Sequence, residues 1–233
     1  MQGYVSSFQS LGTVDGPAVR FVVFLQGCPL RCKCCHNPET WAKTGGTAYT
    51  PEEIAAKVAR YRSYFGEKGG ITISGGEPLM QAEFVAEVFG LCRSQGITTC
   101  LDTSGCLYNP SVQRVLNLTD TVLLDYKMTN DADYQGFTGM KMQQAEDFLE
   151  ILNAHGIPTW LRQVIVCGIN DNEENVRALF EKQRKYACIE KIELLPFRKL
   201  CETKYQELGI PFPLADTPET PQSRIDELLR SIT

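Results

Sequence analysis

Cys28, Cys32 and Cys35 form a C-x3-C-x2-C triplet in the stretch Gly27-Cys28-Pro29-Leu30-Arg31-Cys32-Lys33-Cys34-Cys35-His36-Asn37-Pro38. Iron–sulfur clusters are held by cysteine thiolates, normally four of them. Three protein thiolates on a four-iron cluster leave one iron open to a small molecule, and that vacancy is a place for chemistry. The competing reading is half of a zinc site. Structural zinc sites usually combine two separated ligand pairs, whereas Cys92, Cys100 and Cys106 are irregularly spaced and His155 stands alone. Cys34 complicates the count, but adjacent side chains diverge, so Cys34 and Cys35 make awkward ligands for one cluster.

Other positions carry chemical potential of their own. Ser74-Gly75-Gly76-Glu77-Pro78 falls where a strand ends and a helix begins. Its glycines let the backbone approach a ligand closely, although a plain strand-to-helix turn with Pro78 at the first helical position reads equally well. Asp102 and the run Asp125-Tyr126-Lys127 end two further strands. Side chains alternate along a strand, so Asp125 and Lys127 face the same way. A carboxylate suits ribose hydroxyls or a cation, and an ammonium suits a carboxylate; the bland alternative is a solvated strand end. Arg162 interrupts an apolar strand and needs a partner, either a ligand carboxylate or a protein one.

The elements that must position these groups alternate regularly. Strands are predicted at 21–25, 71–74, 98–102, 121–125, 160–166 and 191–195. Helices are predicted at 51–65, 79–95, 111–117, 143–154, 173–185 and 221–231. Thr50, Pro51 and Glu53 give the first helix a capping box with proline at its first position, and Gly156 stops the fourth. The βα alternation argues for α/β architecture with a mostly parallel sheet. With too few units for the closed eight-stranded barrel, an open partial (β/α)6 barrel is expected; a flat doubly wound sheet is the alternative. The whole of 1–233 reads as a single domain, with a Pro-rich segment and a helix at about 211–233. Ligands of parallel folds bind at the carboxyl ends of the strands, where the triplet lies.

Composition narrows the class. The 233 residues include 28 acidic and 23 basic side chains, a net charge of −5, which argues against a nucleic-acid partner. Hydrophobic content of 43% supports a sizeable core. No apolar run is long enough to span a membrane, and no charged leader precedes Arg20. Ten cysteines without a secretory signal point to a reducing, cytoplasmic setting.

In combination the motifs resemble the pyruvate formate-lyase activating enzymes, glycyl-radical enzyme activases of the radical S-adenosylmethionine (SAM) superfamily. The matching segments are Gly12-Thr13-Val14-Asp15-Gly16-Pro17, Gln26-Gly27-Cys28, Cys35-His36-Asn37-Pro38, Ser74-Gly75-Gly76-Glu77-Pro78, Leu101-Asp102-Thr103-Ser104-Gly105, Leu124-Asp125-Tyr126-Lys127 and Glu193-Leu194-Leu195-Pro196-Phe197. The resemblance implies a [4Fe–4S] cluster on Cys28, Cys32 and Cys35. It implies SAM contacts from Cys34, Cys35, His36, Gly75, Gly76, Glu77, Asp125, Tyr126, Lys127 and Arg198, with Arg162 a further candidate. It also implies a monovalent cation at Asp102, Thr103 and Asp125.

By the same resemblance, an electron from a flavodoxin or ferredoxin-like donor cleaves SAM, and the resulting 5′-deoxyadenosyl radical takes an α-hydrogen from the glycine loop of pyruvate formate-lyase. The partner keeps a glycyl radical for anaerobic metabolism, and no protein acid or base is needed. The chain lacks the extra cysteine insert between Cys35 and Gly75 that other activases can carry. It departs from the family at Arg198, where His is usual, and at Ala18 and Cys201, where Gly is common. Rival readings are a radical SAM enzyme acting on another glycyl-radical enzyme or a small molecule, and a zinc-stabilised binding protein.

Overall fold

A computed structural model describes residues 1–232. Eight strands form one open, mostly parallel sheet in the order β3-β1-β2-β4-β5-β6-β7-β8. They are β1 Gly3–Gly12, β2 Arg20–Leu25, β3 Thr47–Tyr49, β4 Gly70–Gly75, β5 Thr98–Thr103, β6 Thr121–Asp125, β7 Thr159–Ile165 and β8 Ile189–Pro196. Each of the six expected strands is present. The additional β1 and β3 are antiparallel: β1 pairs with β2 and with β3. The pairs β2–β4, β4–β5 and β7–β8 are parallel.

By compactness the chain divides into two units, and the division falls inside the cysteine loop. The first unit comprises Met1–Pro29 and Thr40–Leu123. Its helices are α1 Pro51–Ala59, α2 Arg62–Phe65, α3 Ala82–Ser94 and α4 Pro110–Leu116. Apolar runs build its core: Val22, Val23, Ile71, Ile73 and Leu101 of the strands are fully buried, as are Val85, Val88 and Phe89 of α3. Each such side chain is worth roughly 1.5–3 kcal/mol of transfer energy. The capping box is formed, with Thr50 Oγ1 accepting the Glu53 N–H at 3.3 Å and Glu53 Oε2 accepting the Thr50 N–H at 2.8 Å.

Two helix expectations need correction. The helix expected over 51–65 is broken into α1 and α2, with Tyr61 outside helical geometry and its ring 5.0 Å from that of Phe21. The helix expected from residue 79 begins as a 3-10 turn, Pro78–Gln81, and becomes α-helical only at Ala82.

Arg20, at the start of β2, is 1% exposed. It donates to Thr72 Oγ1 (3.1 Å), Thr98 Oγ1 (2.7 Å) and the carbonyls of Lys68 (3.1 Å) and Ile71, so neutral oxygens solvate the buried guanidinium. Ala18, just before it, has φ of 56°. L-residues avoid this left-handed region and glycine does not.

The second unit comprises Leu30–Glu39 and the chain from Leu124 onward. Its helices are α5 Asp131–Thr138, α6 Gln143–Ala154, α7 Glu173–Lys185, α8 Glu202–Glu207 and α9 Gln222–Ile232. Asn130 and Asn172 cap α5 and α7 by accepting the N–H groups of Asp133 and Asn175, each at 2.9 Å. Ile165 of β7, Val176 of α7, and Ile225 and Leu228 of α9 form one buried cluster. Among the described residues no helix is long and apolar enough to cross a membrane.

Candidate functional site

In the first unit, β2 hands over at Leu25 to the segment that carries Cys28. The Gly27 N–H donates to the Thr40 carbonyl at 2.7 Å and the Cys28 N–H to the Trp41 carbonyl at 3.3 Å. The Gly75-Gly76 turn at the end of β4 lies directly against this backbone. The Gly76 N–H donates to Leu25 O at 2.9 Å and the Glu77 N–H to Gly27 O at 2.8 Å. A side chain on Gly76 would meet the Gly27 carbonyl oxygen at 2.2 Å. Gly75 adds φ of 124°, and a Cβ there would lie 2.1 Å from the Leu25 nitrogen. The two glycines are therefore required by close backbone packing beside the cysteine segment.

Glu77 is 1% exposed, and its carboxylate is fully engaged by protein donors. Oε1 accepts Thr103 Oγ1 (2.6 Å) and the Leu79 N–H (3.1 Å). Oε2 accepts the hydroxyl (2.6 Å) and N–H (3.0 Å) of Ser104. Burial raises its pKa above the usual carboxylate range, against the opposing pull of the Ser104 and Thr103 hydrogen bonds. The structure thus joins two residues that the family resemblance assigned to separate ligands. Thr103, expected on a cation, also accepts the Gly105 N–H at 3.0 Å. Asp102 Oδ2 accepts the Ser74 hydroxyl at 2.7 Å.

The second unit carries Cys32 and Cys35. The N–H groups of Arg31 and Lys33 donate to the carbonyls of Thr138 (2.8 Å) and Phe137 (2.9 Å) at the end of α5. The Cys35 N–H closes a turn on the Cys32 carbonyl at 3.0 Å. Cys28, Cys32 and Cys35 are all partly exposed, whereas Cys34 is buried. Burial pushes the Cys32 thiol up to about 11, with Lys127 pulling in the opposite direction. Burial raises Cys34 much further.

At the end of β6, strand alternation works as expected for Asp125 and Lys127, whose side chains meet at 2.6 Å. Arg162 of β7 also reaches Asp125 Oδ1, from Nε at 3.0 Å. Of the two roles open to Arg162, the structure displays the protein ion pair. Tyr126 points elsewhere: it is fully buried, its hydroxyl donates to Glu146 of α6, and Lys182 of α7 lies 4.8 Å over its ring while bonding Glu146 at 2.5 Å. Its side chain anchors the Asp-x-Lys segment to the helices.

Beyond β8, Arg198 is tied through its backbone. His36 Nε2–H donates to the Arg198 carbonyl at 2.9 Å, while the guanidinium pairs loosely with Glu219 at 3.4 Å. Any residue supplies that carbonyl, which accommodates the exchange of His for Arg here. Sequence reasoning missed the contribution of α8. Tyr205 Oη donates to the Cys35 carbonyl at 3.2 Å, and Lys204 Nζ to Asn37 Oδ1 (2.8 Å) and Glu39 Oε1 (2.5 Å).

The donor chemistry fits a cluster. Cys28, Cys32 and Cys35 are each partly exposed, so a bound group can reach their thiols. Thiolates are the ligands of iron–sulfur clusters, each taking a different iron of a four-iron cluster.

An open, mostly parallel sheet with this loop after its first parallel strand is the arrangement of a radical SAM enzyme, and the family model of the Radical SAM superfamily matches residues 22–181. The pyruvate formate-lyase-activating enzyme of Clostridium pasteurianum is 42% identical over 217 residues, covering 93% of this chain and 91% of that protein. The pyruvate formate-lyase 1-activating enzyme of Escherichia coli is 39% identical over 233 residues, covering 99% and 94%. Among solved structures, Streptococcus suis SuiB bound to its precursor peptide SuiA superposes with a TM-score of 0.69 at 16% identity, over 91% of this chain and 45% of that one. The chain belongs to the radical SAM superfamily and, within it, to the pyruvate formate-lyase-activating enzymes. Membership in that family implies a [4Fe–4S] cluster and SAM as cofactors.

Proposed function

We propose that the chain activates pyruvate formate-lyase by generating a glycyl radical on it. The observation that carries this reading is the 42% identity to a pyruvate formate-lyase-activating enzyme across 93% of the chain. When bound, the cluster and SAM would supply the radical chemistry that hydrogen removal from the glycine requires.

The chain's own residues hold and orient these groups. Cys28, Cys32 and Cys35 ligate the cluster, a reading supported by their spacing and partial exposure. Lys127, Asp125 and Arg162 form a compact charged group at the strand ends, suited to the polar parts of SAM. Gly75 and Gly76 present backbone rather than side chain, and Glu77 fixes their turn to the end of β5 through Thr103 and Ser104. His36, held on the Arg198 carbonyl, orders the loop beyond Cys35. Asp102, which also accepts the Ser74 hydroxyl, stays with Thr103 and Asp125 among the residues proposed for a monovalent cation. The whole chain works as one radical SAM domain in the cytoplasm and takes its electron from a flavodoxin or ferredoxin-like donor.

The test is anaerobic. Reduced protein, SAM and pyruvate formate-lyase are mixed and followed by electron paramagnetic resonance, with 5′-deoxyadenosine quantified in parallel. A glycyl radical on the partner is the expected outcome, abolished by Cys32→Ala. SAM cleavage without a radical on pyruvate formate-lyase would reassign the partner, and no cleavage at all would overturn the reading.

A further inference from the structure

Three of the described hydrogen bonds join α8 to the loop bearing Cys32 and Cys35. Tyr205 Oη donates to the Cys35 carbonyl at 3.2 Å. Lys204 Nζ reaches Asn37 Oδ1 at 2.8 Å and Glu39 Oε1 at 2.5 Å. The two residues have different surroundings. Tyr205 is 1% exposed, and its ring packs 4.8 Å from that of Phe212, with Cys201 and Phe197 also buried. The Lys204 ammonium is partly solvated, with 38% of its side chain exposed. A buried hydroxyl aimed at a cysteine carbonyl fixes the orientation of that peptide, and with it the direction in which Cys35 projects its sulfur. Outer hydrogen bonds and solvent exclusion around the ligands are recognised determinants of iron–sulfur potentials.

We propose that Tyr205 and Lys204 are positioning residues: α8 is a brace that holds the Cys32–Cys35 half of the loop in its ligating conformation and sets the potential of the bound cluster. The proposal rests on the cluster assignment made above, but its first test does not need the cluster.

In the full-length, metal-free chain, hydrogen–deuterium exchange is compared between segment 30–39 and segment 24–29, which belongs to the other unit. Tyr205→Phe keeps the ring and removes only the hydroxyl. Exchange in 30–39 rises roughly fivefold, the equivalent of one neutral hydrogen bond of about 1 kcal/mol, while 24–29 is unchanged. Lys204→Met, which retains the aliphatic stem, gives the same asymmetry toward residues 37–39. After anaerobic reconstitution to equal iron and sulfide, the midpoint potential of Tyr205→Phe differs from that of wild type. Unaltered exchange in 30–39, an equal rise in both segments, or an unshifted potential overturns the brace. A wild-type chain that assembles no cluster sinks the cluster assignment instead, and the exchange experiment tells the two failures apart.

Discussion

Arg162 grips Asp125 through two nitrogens on a single oxygen, Nε at 3.0 Å and a terminal nitrogen at 2.9 Å, and leaves Oδ2 to Lys127. Two cations thus share one carboxylate, each with its own oxygen. Burial alone would raise the Asp125 pKa, but Arg162 and then Lys127 outweigh it and bring it from 3.8 to about 2.

This arrangement makes a pH prediction with a definite sign. A carboxyl depressed in the folded state contributes stability that is complete above its unfolded value and lost as pH falls through the folded one. The contribution is about 2 kcal/mol and disappears between roughly pH 4 and pH 2. In urea titrations Asp125→Asn removes that part of the acid dependence, whereas Arg162→Ala costs on the order of 2–3 kcal/mol at pH 7 by leaving a charge short of a partner.

Glu77 carries the opposite sign. Its pKa is raised, by burial above all, so its favourable contribution is complete below the unfolded value and declines as pH rises through the folded one. Glu77→Gln abolishes this decline. It also sets an amide N–H₂ against donors on Thr103, Ser104 and Leu79, at a cost of about 2 kcal/mol. Urea midpoints at pH 5 and pH 8 read both effects; an unchanged slope in the variant would exclude Glu77 as its source.

Tyr126→Phe separates an anchor from a ligand contact. The Glu146–Lys182 bond survives, so the expected loss is about 1 kcal/mol of stability, with SAM affinity by equilibrium binding within twofold of wild type. A tenfold loss of SAM affinity would return the Tyr126 hydroxyl to the site.

Ala18 offers a gain. At φ of 56° it bears the steric cost of a side chain in left-handed backbone. Ala18→Gly removes that cost but adds freedom to the unfolded chain, for a net stabilisation of about 0.5–1 kcal/mol in thermal unfolding.

Arg198→Ala tests whether the main chain is what matters at that position. The Glu219 pair is exposed and worth less than about 1 kcal/mol. Stability and 5′-deoxyadenosine yield stay near wild type, while His36→Ala, which releases the carbonyl, lowers the yield more. The reverse order would give the guanidinium a direct role.

The parallel strands were legible because their apolar runs, such as Val22-Val23-Phe24-Leu25 and Val122-Leu123-Leu124, are continuous. The strand β1 was hidden by its composition: Tyr4 and Leu11 face solvent, polar residues fill its middle, and irregularities interrupt its register with β2. The helix α8 was too short and polar to show a 3.6-residue period, so Tyr205 and Lys204 went unnoticed. Spacing located the cysteines and placed Asp125 beside Lys127. It could not reveal that Glu77 spends its whole carboxylate on Thr103, Ser104 and Leu79, because partners 26 and 27 positions away leave no trace in a local pattern.

The contact between Gly76 and the Gly27 carbonyl has a practical consequence for redesign. With 2.2 Å where a methyl group would go, neither specificity nor cofactor affinity can be adjusted by decorating that turn. Variation introduced to retarget the enzyme must enter through neighbouring loops, and saturation libraries at positions 75 and 76 should return glycine alone.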